Sequence, residues 1–77
     1  MSKERLLYVE WEDACSFDNT WGPKQRYEGH LDYIQSVGFV VAETKKSITL
    51  CASKAQSGNY CSDITIPKSC IRKKKIL

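Results

Sequence analysis

"RLLYVEWED" (residues 5–13) alternates without a fault, placing Leu7, Val9 and Trp11 on one face and Tyr8, Glu10 and Glu12 on the other. A period of two belongs to a half-buried strand, because successive side chains leave a pleated backbone on opposite sides. The same reading extends outward. "YIQSVGFVVAET" (33–44) is β-branched and aromatic, as strands prefer, and Gly38 in its middle suggests a bulge or a close backbone approach that lets a long strand bend. "KKS" is a polar connection into "ITLCAS" (48–53), where Ile48, Leu50 and Ala52 share a face. "KAQSGN" (54–59) is a second polar loop, with Gly58-Asn59 suited to a turn of positive φ. "YCSDITI" (60–66) is a fourth strand, with Tyr60, Ile64 and Ile66 on one side. "PKSC" (67–70) begins with proline, which cannot continue a ladder, and predicts a single 3₁₀ turn; "IRKKKIL" (71–77) then closes the chain as a fifth strand.

Between the first two strands the pattern breaks. "ACSFDNTWGPKQRYEGH" (14–30) has no period, yet carries Cys15, Phe17, Trp21, Tyr27 and His30 beside Asp18, Lys24 and Arg26. The Gly22-Pro23 pair marks a turn within it, and extended structure is expected again from about Asp32. Five short strands at hairpin spacing, a long first loop and a short turn before the last strand describe one domain over residues 1–77. Its expected architecture is mainly β: a small, strongly bent antiparallel barrel of the SH3-like kind.

A single core in 77 residues rarely supplies more than about 3–5 kcal/mol of net stability, so oligomerisation, a metal or crosslinks would help such a chain. Apolar content is 42% and charged content 27%, which is ordinary for a folded domain and argues against disorder. "MSKERLLYVEWED" places charges where a secretory signal needs an apolar run, and no apolar run approaches membrane-spanning length. The expected location is a reducing cytosol without membrane association, where Cys15, Cys51, Cys61 and Cys70 are thiols. The net charge of +3 conceals an asymmetry: residues 1–35 balance to −3 and residues 36–77 to +6. A chain polarised this way can orient toward an anion or pair head to tail with a copy of itself.

Four anchor segments, "VEWEDA" (9–14), "SVGFVVAET" (36–44), "SITLCAS" (47–53) and "IPKSCI" (66–71), resemble in order and spacing a group of small, β-rich, largely uncharacterised proteins of tailed bacteriophages and prophages. They cover roughly half the chain and leave the aperiodic stretch unmatched. Phe39 occupies a position where the group more often has Trp, a conservative change at a site expected to face the core. The resemblance implies a phage-derived protein of the host bacterial cytosol, with no catalytic residues to carry over. It also implies an accessory role against the host, inhibition of host defence included.

Chemistry-bearing residues are each more simply explained as structure. The four cysteines are spaced 36, 10 and 9 residues apart, with none of the close pairs that structural zinc sites use. They read as small core fillers, or as a cross-strand pair at Cys51 and Cys61, and no metal or other cofactor is expected. His30 is the single histidine and has no legible nucleophile partner, so no enzyme is expected. Glu10, Glu12, Asp13 and Asp18 lack any oxygen-cage spacing and read as a solvated acidic face or a docking surface for a basic partner.

What remains is binding. The leading expectation is a non-catalytic protein that blocks or sequesters a host bacterial protein through Phe17, Asp18, Trp21, Lys24, Arg26 and Tyr27, since Trp, Tyr and Arg most often carry interface energy and loops on rigid barrels display them. Whether Trp21 faces a partner or folds back to cap an open barrel end stays open at this level. A second expectation is a sponge for a cyclic or ADP-ribose-type nucleotide, built by a homo-oligomer that brings stacking aromatics to Arg26, Lys24 and Arg72. A third is a nucleic-acid-binding barrel using Arg72, Lys73, Lys74 and Lys75 of the last strand as an anion track. Lysines on an edge strand also protect against aggregation, which is the structural reading of that run.

Overall fold

The computed structural model describes residues 5–14 and 21–77. Five strands account for most of them: β1 (Leu6–Asp13), β2 (Asp32–Glu43), β3 (Ser47–Lys54), β4 (Tyr60–Pro67) and β5 (Ile71–Ile76), with 3₁₀ turns at Lys24–Arg26 and Lys68–Cys70. Every strand boundary falls within one residue of the limits that alternation and turn residues predict. All pairings are antiparallel, in the order β4-β3-β2-β1-β5, so the strands form one sheet that is not closed by a β4–β5 ladder. That order is the one an SH3-like barrel uses.

The bend comes from β2, which serves two neighbours in succession. Asp32 to Phe39 pair with β1, whereas Phe39 to Glu43 pair with β3, and the register slips between Val40 and Ala42 where the partner changes. An extra residue on one strand increases local twist and turns the strand, as a curled sheet requires. A second slip lies between Glu10 and Trp11 in the β1–β5 ladder.

Gly38 is the close approach that its place in the strand suggested. A Cβ there would lie 2.9 Å from the Cys51 carbonyl oxygen and 3.0 Å from Leu50 Cβ. A backbone oxygen in a ladder cannot step aside as the end of a flexible side chain does. Gly38→Ala is therefore expected to cost about 1–3 kcal/mol, the usual price of overpacking, read as a lower urea midpoint with an unchanged slope.

The concave side holds the core: Leu7, Val9, Trp11, Ile48, Leu50 and Ile66, with Ile34, Val40 and Ile71 packed against it. No polar side chain is buried without a partner among the described residues, and the Trp11 indole donates to Ser36 Oγ at 3.0 Å. Two expectations about faces are corrected. Ala52 is exposed while Cys51 is buried, and Phe39 stands in register with Leu6 and Cys51, one residue away from the core-facing Gly38. The Phe39 ring meets Tyr60 edge to face, with centroids 6.1 Å apart.

The connections are short and locally satisfied. Thr44 Oγ1 accepts from the Lys46 and Ser47 amides at the β2–β3 turn. At the β3–β4 turn Gly58 takes φ 99°, with its amide donating to the Ala55 carbonyl. The Lys68 amide donates to the Lys46 carbonyl, which fastens the second 3₁₀ turn to the β2–β3 hairpin.

Candidate functional site

β1 and β2 part company at a pair of like charges. Asp13 and Asp32 stand opposite each other at the end of the ladder, a juxtaposition that weakens further pairing. The described residues 21–31 before Asp32 belong to no strand and form an arm beside the sheet. In its described part, Pro23 takes φ −69° and opens the 3₁₀ turn Lys24–Arg26, closed by Arg26 N–H to the Pro23 carbonyl at 3.0 Å and Tyr27 N–H to the Lys24 carbonyl at 3.3 Å. This turn had no periodic signal; the Gly22-Pro23 pair was its only trace. Arg26 folds back, its Nη1 within 2.6 Å of where a Gly22 Cβ would stand and its guanidinium carbon 5.8 Å from the Tyr27 ring centroid.

Every residue from 21 to 33 is exposed. Trp21 is 102% accessible, Tyr27 50%, Leu31 56% and Tyr33 56%. Trp21 therefore does not cap the barrel; its side chain stands in water. The Cα radius of gyration is 16.1 Å, against about 11–12 Å for a compact chain of this length, and the principal extents are 57 × 23 × 20 Å. Of the expected contact set, the structure places Trp21, Lys24, Arg26 and Tyr27 together on this arm, while Phe17 and Asp18 lie outside the described residues, as does Cys15.

At the root of the arm is a polar cluster that sequence reasoning missed. Tyr33 Oη donates to Glu10 Oε1 at 2.6 Å, Tyr8 Oη donates to Glu10 Oε2, and Gln35 Nε2 donates to Tyr8 Oη at 2.9 Å. The phenol donors of Tyr33 and then Tyr8, with Lys73 adding, hold the Glu10 carboxyl below its ordinary range. The same bonds to Glu10 push both phenols up. Both carboxylate oxygens are occupied by donors, so Glu10 orients Tyr33 where β2 begins. Finding this cluster needed the β1–β2 register, which pairs Glu10 with Gln35 and Tyr8 with Val37.

The basic strand does not form a single track. Arg72 Nε donates to Glu12 Oε1 at 2.5 Å and its Nη1 to the Ser69 carbonyl at 2.8 Å, so this guanidinium is committed within the protein. Lys73 and Lys75 stand in register with Glu10 and Tyr8 on the outer side, whereas Lys74 is opposite Val9, on the core side.

Cys51, Cys61 and Cys70 are free. Cys51 pairs in register with Asp63, and Cys61 with Ser53, so the two thiols are diagonal rather than opposite. Burial first, then Asp63 and Cys61, push the Cys51 thiol up. Among the described residues no group of three or more His, Cys, Asp or Glu is placed to hold a metal ion. No helix of the described residues is long and apolar enough to cross a membrane.

At the far end of the sheet, Glu43 bridges two cations: Arg5 Nη2 at 2.9 Å on Oε1 and Lys68 Nζ at 2.7 Å on Oε2. Lys68 and then Arg5 lower its carboxyl from 4.5 to about 2. A folded value below the unfolded one stabilises above the unfolded value and is lost as pH falls through the folded one. The stabilising share of Glu43 should thus be complete above pH 4.5 and vanish towards pH 2. Urea titrations across that window should show the wild-type chain losing stability more steeply than Glu43→Gln.

Compared with protein-family models, curated proteins and solved structures, the chain finds no match.

Proposed function

We propose that this chain is a non-catalytic phage-type binding protein that blocks or sequesters a host bacterial component, an inhibitor of anti-phage defence, with the arm between β1 and β2 as its contact surface. The observation that carries this reading is the complete exposure of Trp21 on an arm whose Tyr27, Leu31 and Tyr33 are also at least half exposed. An indole left in water gives up the free energy of burial, which contact with a partner would recover. Arg26 beside Tyr27 adds the third residue type that dominates interface energetics.

The nucleic-acid reading draws less support, because Arg72 is bound to Glu12 and Lys74 leaves the strand on the side opposite Lys73 and Lys75. The test is capture from bacterial lysate with the wild-type chain and Trp21→Ala side by side, beside a thermal-shift screen of cyclic and ADP-ribose-type nucleotides. One host protein retained by the wild type and lost by a normally folded Trp21→Ala supports the reading. Nucleotide-dependent stabilisation with no captured protein replaces it with the sponge, and capture that ignores Trp21 removes the arm from the account.

A further inference from the structure

At the opposite end of β1 from the arm lies a cleft of about 280 Å³ lined by Arg5, Leu7, Glu43, Ile48, Lys74 and Ile76. We propose that this cleft binds a small amphipathic monoanion: one carboxylate carried on an apolar body of medium alkyl-chain size.

The apolar half of the argument is the lining. Leu7 and Ile48 are core residues, each 2% exposed, and form the floor; Ile76 in register with Leu7 is 65% exposed and forms a wall still open to water. A concave, mostly apolar site with a few polar groups at its edge is the usual form of a small-ligand pocket, and the volume sits near the lower end of the range of about 300–1,000 Å³. A ligand body entering here removes Ile76 and itself from water at once.

The charged half is the rim. Arg5 and Lys74 line the cleft beside one carboxylate, Glu43, whose two oxygens are already divided between Arg5 and Lys68. The Lys74 side chain makes no ion pair or hydrogen bond among the described residues. The slip in the β1–β5 ladder, together with strand alternation, turns it to the core side opposite Val9. Protection of an edge strand explains a lysine at this position. It does not explain why the lysine stands over an apolar cleft. A single unengaged ammonium calls for a single negative charge, and a charge-assisted hydrogen bond supplies the orientation while the apolar body supplies contact area. This site is independent of the arm and of the host partner proposed for it.

Amide-resolved NMR titration of the full chain with octanoate, 1-octanol and acetate tests the assignment. Octanoate is expected to give saturable shifts at Leu7, Ile48, Lys74 and Ile76, with octanol at least about tenfold weaker, as loss of a hydrogen bond to a charged group predicts, and acetate weaker because it lacks the apolar body that the cleft buries. Lys74→Gln should weaken octanoate about tenfold and leave octanol unchanged. Lys74→Met, which keeps the apolar stem, should do the same. Equal responses to octanoate and octanol, shifts confined to the arm, no saturable shift, or an unaltered octanoate affinity in a folded Lys74 variant would each overturn the proposal.

Discussion

Leu50→Ala is expected to leave most of the chain unfolded at 37 °C. Leu50 is 1% exposed at the centre of β3, flanked in the core by Ile48 and by Ile66 of β4. Truncating such a leucine costs about 2–5 kcal/mol, from lost transfer free energy and the cavity left behind. A core of this size provides about 3–5 kcal/mol in all, so the deletion consumes most or all of it. Leu50→Met conserves volume and should cost less than about 1.5 kcal/mol. Urea unfolding followed by circular dichroism compares the two. A loss below 1 kcal/mol for the alanine variant would mean that the concave side is not the stabilising core, whatever its burial.

Trp21→Ala should produce the opposite profile. Its side chain touches no core residue's share of buried surface, being 102% accessible, so folding stability should move by no more than about 0.5 kcal/mol. Affinity for the captured host component should fall by at least about thirtyfold, the equivalent of a 2 kcal/mol hot spot. The two tryptophans offer an internal control. Trp11 is 7% exposed and hydrogen-bonded to Ser36, so acrylamide should quench the Trp21→Ala variant weakly, whereas in the wild type it should quench the accessible indole first and leave the emission of Trp11. Calorimetric titration with an affinity unchanged by the substitution would remove Trp21 from the interface. A lowered melting temperature would place it in the fold instead.

These two residues also mark how far the sequence can be read. Leu50 was legible because Ile48, Thr49, Leu50 and the polar loops around them obey the period of a strand with one dry face. Turn residues set the limits, which is why Pro67 and Gly58 located the ends of β4 and its preceding turn. Where burial came from a second direction the pattern misled. Cys51 is buried on the face opposite Leu50, in register with Phe39 of β2, and no single strand's alternation encodes that burial. Charge counting had the same defect. Four consecutive cations looked equivalent, but a register slip and one ion pair gave Arg72, Lys73 and Lys74 three different surroundings. Trp21 could not be oriented at all from sequence, since a stretch with no period has no face.

The arm's separation from the ladder also bears on how such a protein can change over time. Among residues 21–31, the described backbone bonds run only within the turn, from Arg26 to Pro23 and from Tyr27 to Lys24. None of these side chains belongs to the core cluster. Substitution at Trp21, Lys24 or Tyr27 removes nothing from the core, so under the proposed function selection at these positions would act through the partner. A host that altered the recognised surface could be followed by successive replacements at Trp21, Lys24 and Tyr27, while Leu7, Val9 and Leu50 stayed fixed beneath them. Divergence confined to the arm, over an unchanging scaffold, is the signature that such a contest would leave.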